Sequence, residues 1–246
     1  MKPTIIFLIS IFLFSCVEKK NRTNLKGKVH LVTTVRYKAV EKFGEIEKDS
    51  IVQKSTSKFN EEGNEIENAD YNSDGSLNTK TIFKYDKAEN ILEECSYNSN
   101  GNLSSKIIYT YDNKGKKKES NSYYESDGKL ASSNKYDENG NDIEWSFYLS
   151  SGKLMNKVTY KFDDKGNKTE DNIVESLAII AGGKTIYEYD NNNNMTGAKS
   201  YEPNGSLSGE SHHDYKNYDV NGNWTMQITY YNEKLEEVIE RTIEYY

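Results

Sequence analysis

An aromatic residue followed by Asp or Asn recurs down this chain at Phe59, Tyr85, Tyr111, Tyr136, Phe162, Tyr189 and Tyr218, at spacings of 26, 26, 25, 26, 27 and 29 residues. Four residues after each stands a Gly (63, 115, 140, 166 and 222), with Glu89 and Asn193 as exceptions. A second series lies halfway between. Tyr71, Tyr97, Tyr124, Tyr148 and Tyr201 each have Gly at +4 and Leu at +6. A fixed period of this length means that one small structural unit is repeated, and it constrains the fold before any element is assigned singly.

The unit reads as a strand and a tight turn. Asp or Asn beside the aromatic bonds the backbone two residues on. Gly then takes the left-handed conformation that closes a three-residue hairpin with a bulge. About eight residues remain between turns, which is strand length. In 77–85, Leu77, Thr79, Thr81, Phe83 and Tyr85 alternate with Asn78, Lys80, Ile82 and Lys84. That period of two marks a half-buried antiparallel strand. The expectation is an all-β antiparallel meander of about fourteen or more strands, in a twisted or curled sheet built from 25–26-residue repeats over 58–246. Residues 29–57 are expected to cap its first edge, as two strands joined by a charged connection at Lys38 to Asp49. The last segment has helical spacing at Leu235, Val238, Ile239, Thr242 and Tyr246, but Tyr231, Ile243 and Tyr245 keep the repeat offsets and make it a strand.

Composition agrees with thin layers. Leu, Ile, Val and Phe supply 50 of the 246 residues, and nine of these fall in 5–14. The 20 Tyr bring the missing apolar surface, each with a polar tip that can stay wet. A net charge of −7 argues against a nucleic-acid partner, which wants a basic stripe.

The first residues give an address. Lys2 precedes an apolar run from Ile5 to Phe14, too short to span a bilayer and of the length of a secretory signal. Leu13-Phe14-Ser15-Cys16 resembles the bacterial lipobox, although Phe14 departs from the small residue usual there. The resemblance implies that 1–15 are a signal peptide and that Cys16 carries a diacylglyceryl thioether. It also implies N-acylation of the new terminus, with residues 16–28 as a lipidated, flexible tether. By the same analogy, Val rather than Asp at position 17 favours the outer membrane. Two or three acyl chains anchor stably, at about 0.8 kcal/mol per buried methylene.

The Tyr136-Asp137-Glu138-Asn139-Gly140-Asn141 series resembles the YD repeat of RHS-type proteins, and the intervening series resembles the MORN-variant repeat of bacterial envelope proteins. Together they cover residues 58–245. The resemblance implies a repeat class and no activity. The RHS toxin-shell function is not carried over, because repeat-like sequence runs to Tyr245 and the usual Gly-Arg-Leu after the Tyr-Asp pair is missing.

Residues 172–187 break the pattern and concentrate Val174, Leu177, Ile179 and Ile180. They read either as a drifted hairpin through Gly182-Gly183 or as an apolar loop that contacts a partner. Candidate chemistry is weak elsewhere. His212-His213-Asp214 puts at most one His on the side of Asp214, so no metal site and no cofactor are assigned. Cys95 reads as a small hydrophobe on the packed face. Glu93, Glu94, Asp142 and Glu144 read as a solvated strand face. Trp145 and Trp224 offer glycan contacts if their rows are exposed, and otherwise stack across strands. The sequence thus predicts a non-enzymatic envelope lipoprotein. It is attached to the membrane through its N-terminal lipid and presents a β surface to a protein partner. The alternative is a polysaccharide-binding module.

Overall fold

The computed structural model describes residues 25–124, 127–177 and 182–246. Sixteen strands follow one another: β1 (Val29–Lys42), β2 (Glu45–Phe59), β3 (Glu65–Tyr71), β4 (Leu77–Tyr85), β5 (Ile91–Asn98), β6 (Leu103–Tyr111), β7 (Lys117–Tyr123) and β8 (Leu130–Tyr136). Then come β9 (Asp142–Tyr148), β10 (Leu154–Phe162), β11 (Lys168–Ser176), β12 (Lys184–Tyr189), β13 (Met195–Tyr201), β14 (Leu207–Tyr218), β15 (Trp224–Tyr231) and β16 (Lys234–Tyr245). Each pairs antiparallel with the next, so the meander expected from the repeat is present.

The expected open sheet is corrected: the wall closes. β1 pairs with β2 on one side and with β16 on the other, through Val32 with Ile243, Thr34 with Arg241 and Arg36 with Ile239. Closure removes both free edges of a sixteen-strand sheet, which otherwise invite pairing with other chains. The first two strands are therefore the closing unit and not a cap. Lys38–Asp49 is corrected too, since most of it is strand. Its residues continue β1 and β2 into a ribbon that turns at Phe43-Gly44, beyond the last β16 and β3 partners of Lys38 and Lys54.

The turns after Phe59, Tyr85, Tyr111, Tyr136, Phe162, Tyr189 and Tyr218 all lie at one rim, together with the start of β1 and the end of β16. We call this rim proximal. The second turn series, the ribbon tip and the β11–β12 connection lie at the distal rim. Pairing shifts by one residue beside nearly every turn, as between Lys84 and Tyr85. These are the bulges the hairpin type demands. Glu89 and Asn193 take φ of 63° and 62° where the other copies have Gly, so the two exceptions adopt the same left-handed turn.

Alternation assigns the two faces of the wall. Thr81, Tyr109, Ser120, Tyr160, His213 and Gln227 share one register set and are buried or half-buried, facing the lumen. Lys84, Lys135, Lys161, Glu188 and His212 belong to the other set and are exposed, facing out. Aliphatic packing is confined to two small clusters. Val29, Val32 and Phe59 pack with Leu25 and Ile243. Ala39, Ile228 and Val238 pack under the base of the ribbon. Tyrosine supplies much of the rest. Tyr85, Tyr111, Tyr189 and Tyr215 lay their rings along the wall and donate their hydroxyls to the carbonyls of Glu65, Ile91, Lys168 and Met195, at 2.6–2.8 Å. Each such bond contributes about 1 kcal/mol, repeated around the barrel in place of a thick core.

Candidate functional site

At the proximal rim the aspartate of each turn gathers the loop onto its carboxylate. Asp137 accepts the backbone N–H groups of Asn139 and Asn141, and its other oxygen accepts the Asn141 side-chain amide at 2.9 Å. Asp86, Asp163 and Asp190 repeat this set with Asn90, Asn167 and Asn194. The Asn after the Gly is thus a ligand of the Asp, a role the sequence reading missed. The signal was there in the Asn four residues after the Asp in five of the turns, at Asp86, Asp137, Asp163, Asp190 and Asp219, with Lys116 as the exception after Asp112. In the first turn Asn60 replaces Asp. It still accepts the Asn64 N–H, but the Asn64 side-chain nitrogen is buried without a partner.

Residues 25–28 lie across this rim. Asn223 accepts the Lys26 N–H at 2.8 Å and donates to the Lys26 carbonyl at 2.9 Å. Gly27 sits at φ 86° with the Tyr245 ring 3.0 Å from where a Cβ would stand, so only glycine fits. Beside this segment a cavity of about 660 Å³ opens into the lumen, with Tyr85, Tyr111 and Lys117 among its walls.

The lumen carries charge as well as tyrosine. The Lys117 ammonium lies 4.9 and 4.8 Å from the Tyr109 and Tyr136 rings, and that of Lys168 lies 5.1 and 4.5 Å from the Tyr160 and Tyr187 rings. Burial holds the Asp142 carboxyl above its usual range, and hydrogen bonds from the Asn134 amide and the Glu144 N–H, with Lys117 and Lys168 behind them, pull it partly back. Burial pushes Tyr160 up to about 12. Across the closing strands Arg36 binds Glu237 through both carboxylate oxygens and reaches Gln53, which in turn donates to Asp70.

The outer wall is laced with ion pairs. Glu67 lies between Lys58 and Lys80, Glu93 between Lys84 and Lys106, and Glu144 between Lys135 and Lys157, at 2.6–2.9 Å. Lys106 and Lys84 together pull the Glu93 carboxyl down to about 2. Each of these exposed pairs contributes little to stability. Their meaning is geometric: this face is built for water.

The expected site residues fall in different places. Cys16, Ile179 and Ile180 lie outside the described residues. Val174 and Leu177 are 56% and 48% exposed at the distal rim. Trp145 faces the lumen, stacked on Phe147 with ring centres 5.9 Å apart. Trp224 is 9% exposed, under the Arg241 guanidinium at 3.4 Å and beside Tyr215. Neither tryptophan belongs to an outward-facing row. His212 meets Asp214 outside, while His213 points inward to Ser211, Thr229 and Gln227. No group of three or more metal-ligating side chains occurs among the described residues. Of the four carboxylates read as one solvated face, Glu93 and Glu144 are outside. Glu94 is inside because it follows Glu93 and successive residues alternate, and Asp142 is inside because the bulge at Ile143 breaks its alternation with Glu144. Cys95 is buried and free, but on the outward set, opposite Ile82 and Lys106. The bulge at Leu92 takes it out of phase with Ile91.

No protein-family model and no curated protein matches the chain. Among solved structures it is similar to a porin-like protein from Bacteroides uniformis, with TM-score 0.56 and 10% identity over 89% of this chain and 98% of that one. A putative outer membrane lipoprotein-sorting protein domain from Vibrio parahaemolyticus gives TM-score 0.30 and 7% identity, over 87% and 86% of the two chains. At that identity the first likeness shows a shared fold and nothing of activity, and the second carries no argument.

Proposed function

We propose that this chain is a cell-envelope lipoprotein, tethered through Cys16, whose barrel stands in water as a non-enzymatic scaffold for a protein partner. One observation carries the reading. A barrel in a membrane turns an apolar band about 25 Å tall toward lipid, whereas here the outward face carries the Lys–Glu–Lys rows through Glu67, Glu93 and Glu144. The lumen face, with Lys117, Asp142, Lys168 and Arg241, is no better suited to lipid. A polar wall and a lipid on the chain are compatible when the barrel sits beside the bilayer.

Position supports the partner surface. The chain enters the barrel at the proximal rim, where a tether from Cys16 arrives. Phe43, Ile46, Ile51, Val52, Val174 and Leu177 are exposed toward the distal side, away from it. Tyr218, Val220 and Tyr246 are exposed at the proximal rim as well. The distal set differs in standing free of the tether, on the ribbon and the β11 end, where exposed apolar groups on a rigid body can meet a partner. In-cell cross-linking from a photoreactive residue at 174, followed by mass spectrometry, tests this. A discrete protein adduct is expected, lost when Phe43 and Leu177 are replaced by Ser. Adducts to lipid alone, or none, contradict the scaffold reading.

A further inference from the structure

Arg241 is a cation that the barrel leaves without an anion. It stands on β16 opposite Thr34 of β1, at the closing seam, with its guanidinium over the Trp224 ring at 3.4 Å. No carboxylate pairs with it among the described residues. The ionisable neighbour that acts on it is the Tyr215 phenol, whose proton is already given to the Met195 carbonyl. The Nε atom is enclosed without a hydrogen-bond partner, whereas the two terminal nitrogens are not enclosed. Burial lowers the guanidinium to about 10, so it stays charged at neutral pH. A buried charge is costly unless something opposes it, and arginine does not shed its proton to escape that cost. The indole face offsets part of the charge, but it meets the flat side of the group and takes none of its N–H donors.

Arg241 and Trp224 line a cavity of about 30 Å³ at the proximal rim, under the leading segment and between the β12–β13 and β14–β15 turns. Lys26, Asn192, Asn194 and Asn223 form further walls, and no carboxylate is among them. The cavity is therefore positive, with the Lys26 ammonium held nearby through the Gly222 carbonyl at 3.4 Å. Asp190 and Asp219 stand behind the turns with their oxygens engaged. Asp190 accepts the Asn192 and Asn194 N–H groups and the Asn194 amide, and Asp219 accepts the Asn221 and Asn223 N–H groups and the Tyr245 hydroxyl. Size narrows the ligand further. The space suits one water or one ion of similar size, and a sulfate or phosphate with its four oxygens does not fit. A water would fill the space and leave the charge unopposed.

We infer that this cavity binds one monatomic anion, of the size of chloride, between Arg241 and Lys26. The ion lies where the leading segment crosses the seam, and it joins the tether end of the chain to β15 and β16. The test uses bromide, which is close to chloride in size and quenches tryptophan emission on contact. Trp145→Phe leaves Trp224 as the single tryptophan. The full-length protein with that change, in a nonionic detergent, is titrated with sodium bromide at an ionic strength held constant by sodium gluconate, whose anion is too large to enter. Saturable quenching is expected, half complete below about 20 mM, reversed by chloride and not by sulfate. Lys26→Gln should raise the half-saturation about threefold, the effect of one exposed charge. Arg241→Gln should abolish saturation, with an unchanged emission maximum showing that Trp224 is still packed. If that variant does not fold, Lys26→Gln and the competition by chloride decide the matter. Quenching that rises linearly with bromide and ignores chloride overturns the inference. So does saturation unchanged in the variants, and so does displacement of bromide by sulfate more readily than by chloride.

Discussion

Asn223 brackets the backbone of Lys26, accepting its N–H and donating to its carbonyl, across 197 residues of chain. The same amide also donates to the Tyr245 hydroxyl at 2.8 Å, which is itself bonded to Asp219. One turn side chain thus ties the leading segment, the last strand and the β14–β15 hairpin together at the place where the barrel closes. Asn223→Ala should therefore cost about 2–3 kcal/mol, because a nearly buried amide loses several partners. Asn141→Ala, which removes the corresponding amide from an ordinary turn, should cost about 1 kcal/mol. Urea denaturation of the two variants compares them directly, and equal losses would mean that closure does not rest on this contact.

Closure itself has a chemical readout. Thr33 and Thr242 are partners on the outer face of β1 and β16. Paired Cα atoms in an antiparallel ladder come within disulfide reach. Thr33→Cys with Thr242→Cys should oxidise to an intramolecular cross-link in the folded protein while Cys95 stays buried and unreacted. In an open sheet these positions lie at opposite edges and no such link forms.

The turn chemistry predicts a graded series. Asp137→Ala removes three accepted hydrogen bonds, two of them from backbone, and should cost about 2 kcal/mol. Asp137→Asn keeps an acceptor for the backbone, as Asn60 does in the first turn, and should cost less than half as much. Glu89→Gly should stabilise by about 1 kcal/mol, since a side chain at φ 63° carries a steric penalty that glycine lacks. Thermal midpoints of the three variants should rank in that order.

Much of this was legible before the structure. The strand and turn period, the facing of Thr81 and Tyr109, and the strand nature of 234–245 all follow from local spacing, because hairpins are closed by residues a few positions apart. Closure was not legible, since pairing Val32 with Ile243 is a decision between segments with no repeat in common. The ribbon at Lys38–Asp49 looked like a connection because its residues are charged. Its backbone pairs regardless, and the charges stay in water on both sides. The misplaced carboxylates have two causes: Glu93 and Glu94 are neighbours, so plain alternation sends them to opposite faces, while the bulge at Ile143 separates Asp142 from Glu144, which spacing alone would put on one face. Of the candidate site, the tyrosines were visible as a period, but their hydroxyl-to-carbonyl bonds and the unpartnered Asn64 appear only when neighbouring turns are in place.

Three buried groups predict how stability moves with pH. Burial, with His212 adjacent, holds the His213 ring below 6.5. As pH falls below that value the unfolded chain takes up the proton first, so the contribution of His213, complete above 6.5, declines on acidification. His213→Gln should flatten the slope of stability against pH in the window just below 6.5. Burial pushes Tyr160 and Tyr215 up to about 12. Their contribution is complete below 10 and is lost as pH rises through 12. Phenolate absorbance at pH 11 should therefore show tyrosines still neutral in the native protein that ionise on unfolding in urea.

The departure at 172–187 separates two readings of the distal rim. Replacing 176–183 by a regular Tyr-x-x-x-Gly-x-Leu turn should leave the circular dichroism and thermal midpoint intact and abolish the partner cross-link. A replacement that unfolds the protein would instead make this segment part of the packing that holds β11 to β12.

Whether the outer wall faces water is read most directly from the behaviour of residues 25–246 in buffer without detergent. The Lys–Glu rows of the outer wall predict a monomer on light scattering with a β-dominated far-ultraviolet spectrum and a cooperative thermal transition. A chain that precipitates until detergent is added, and folds only in micelles, would show that the wall faces lipid and would contradict the account.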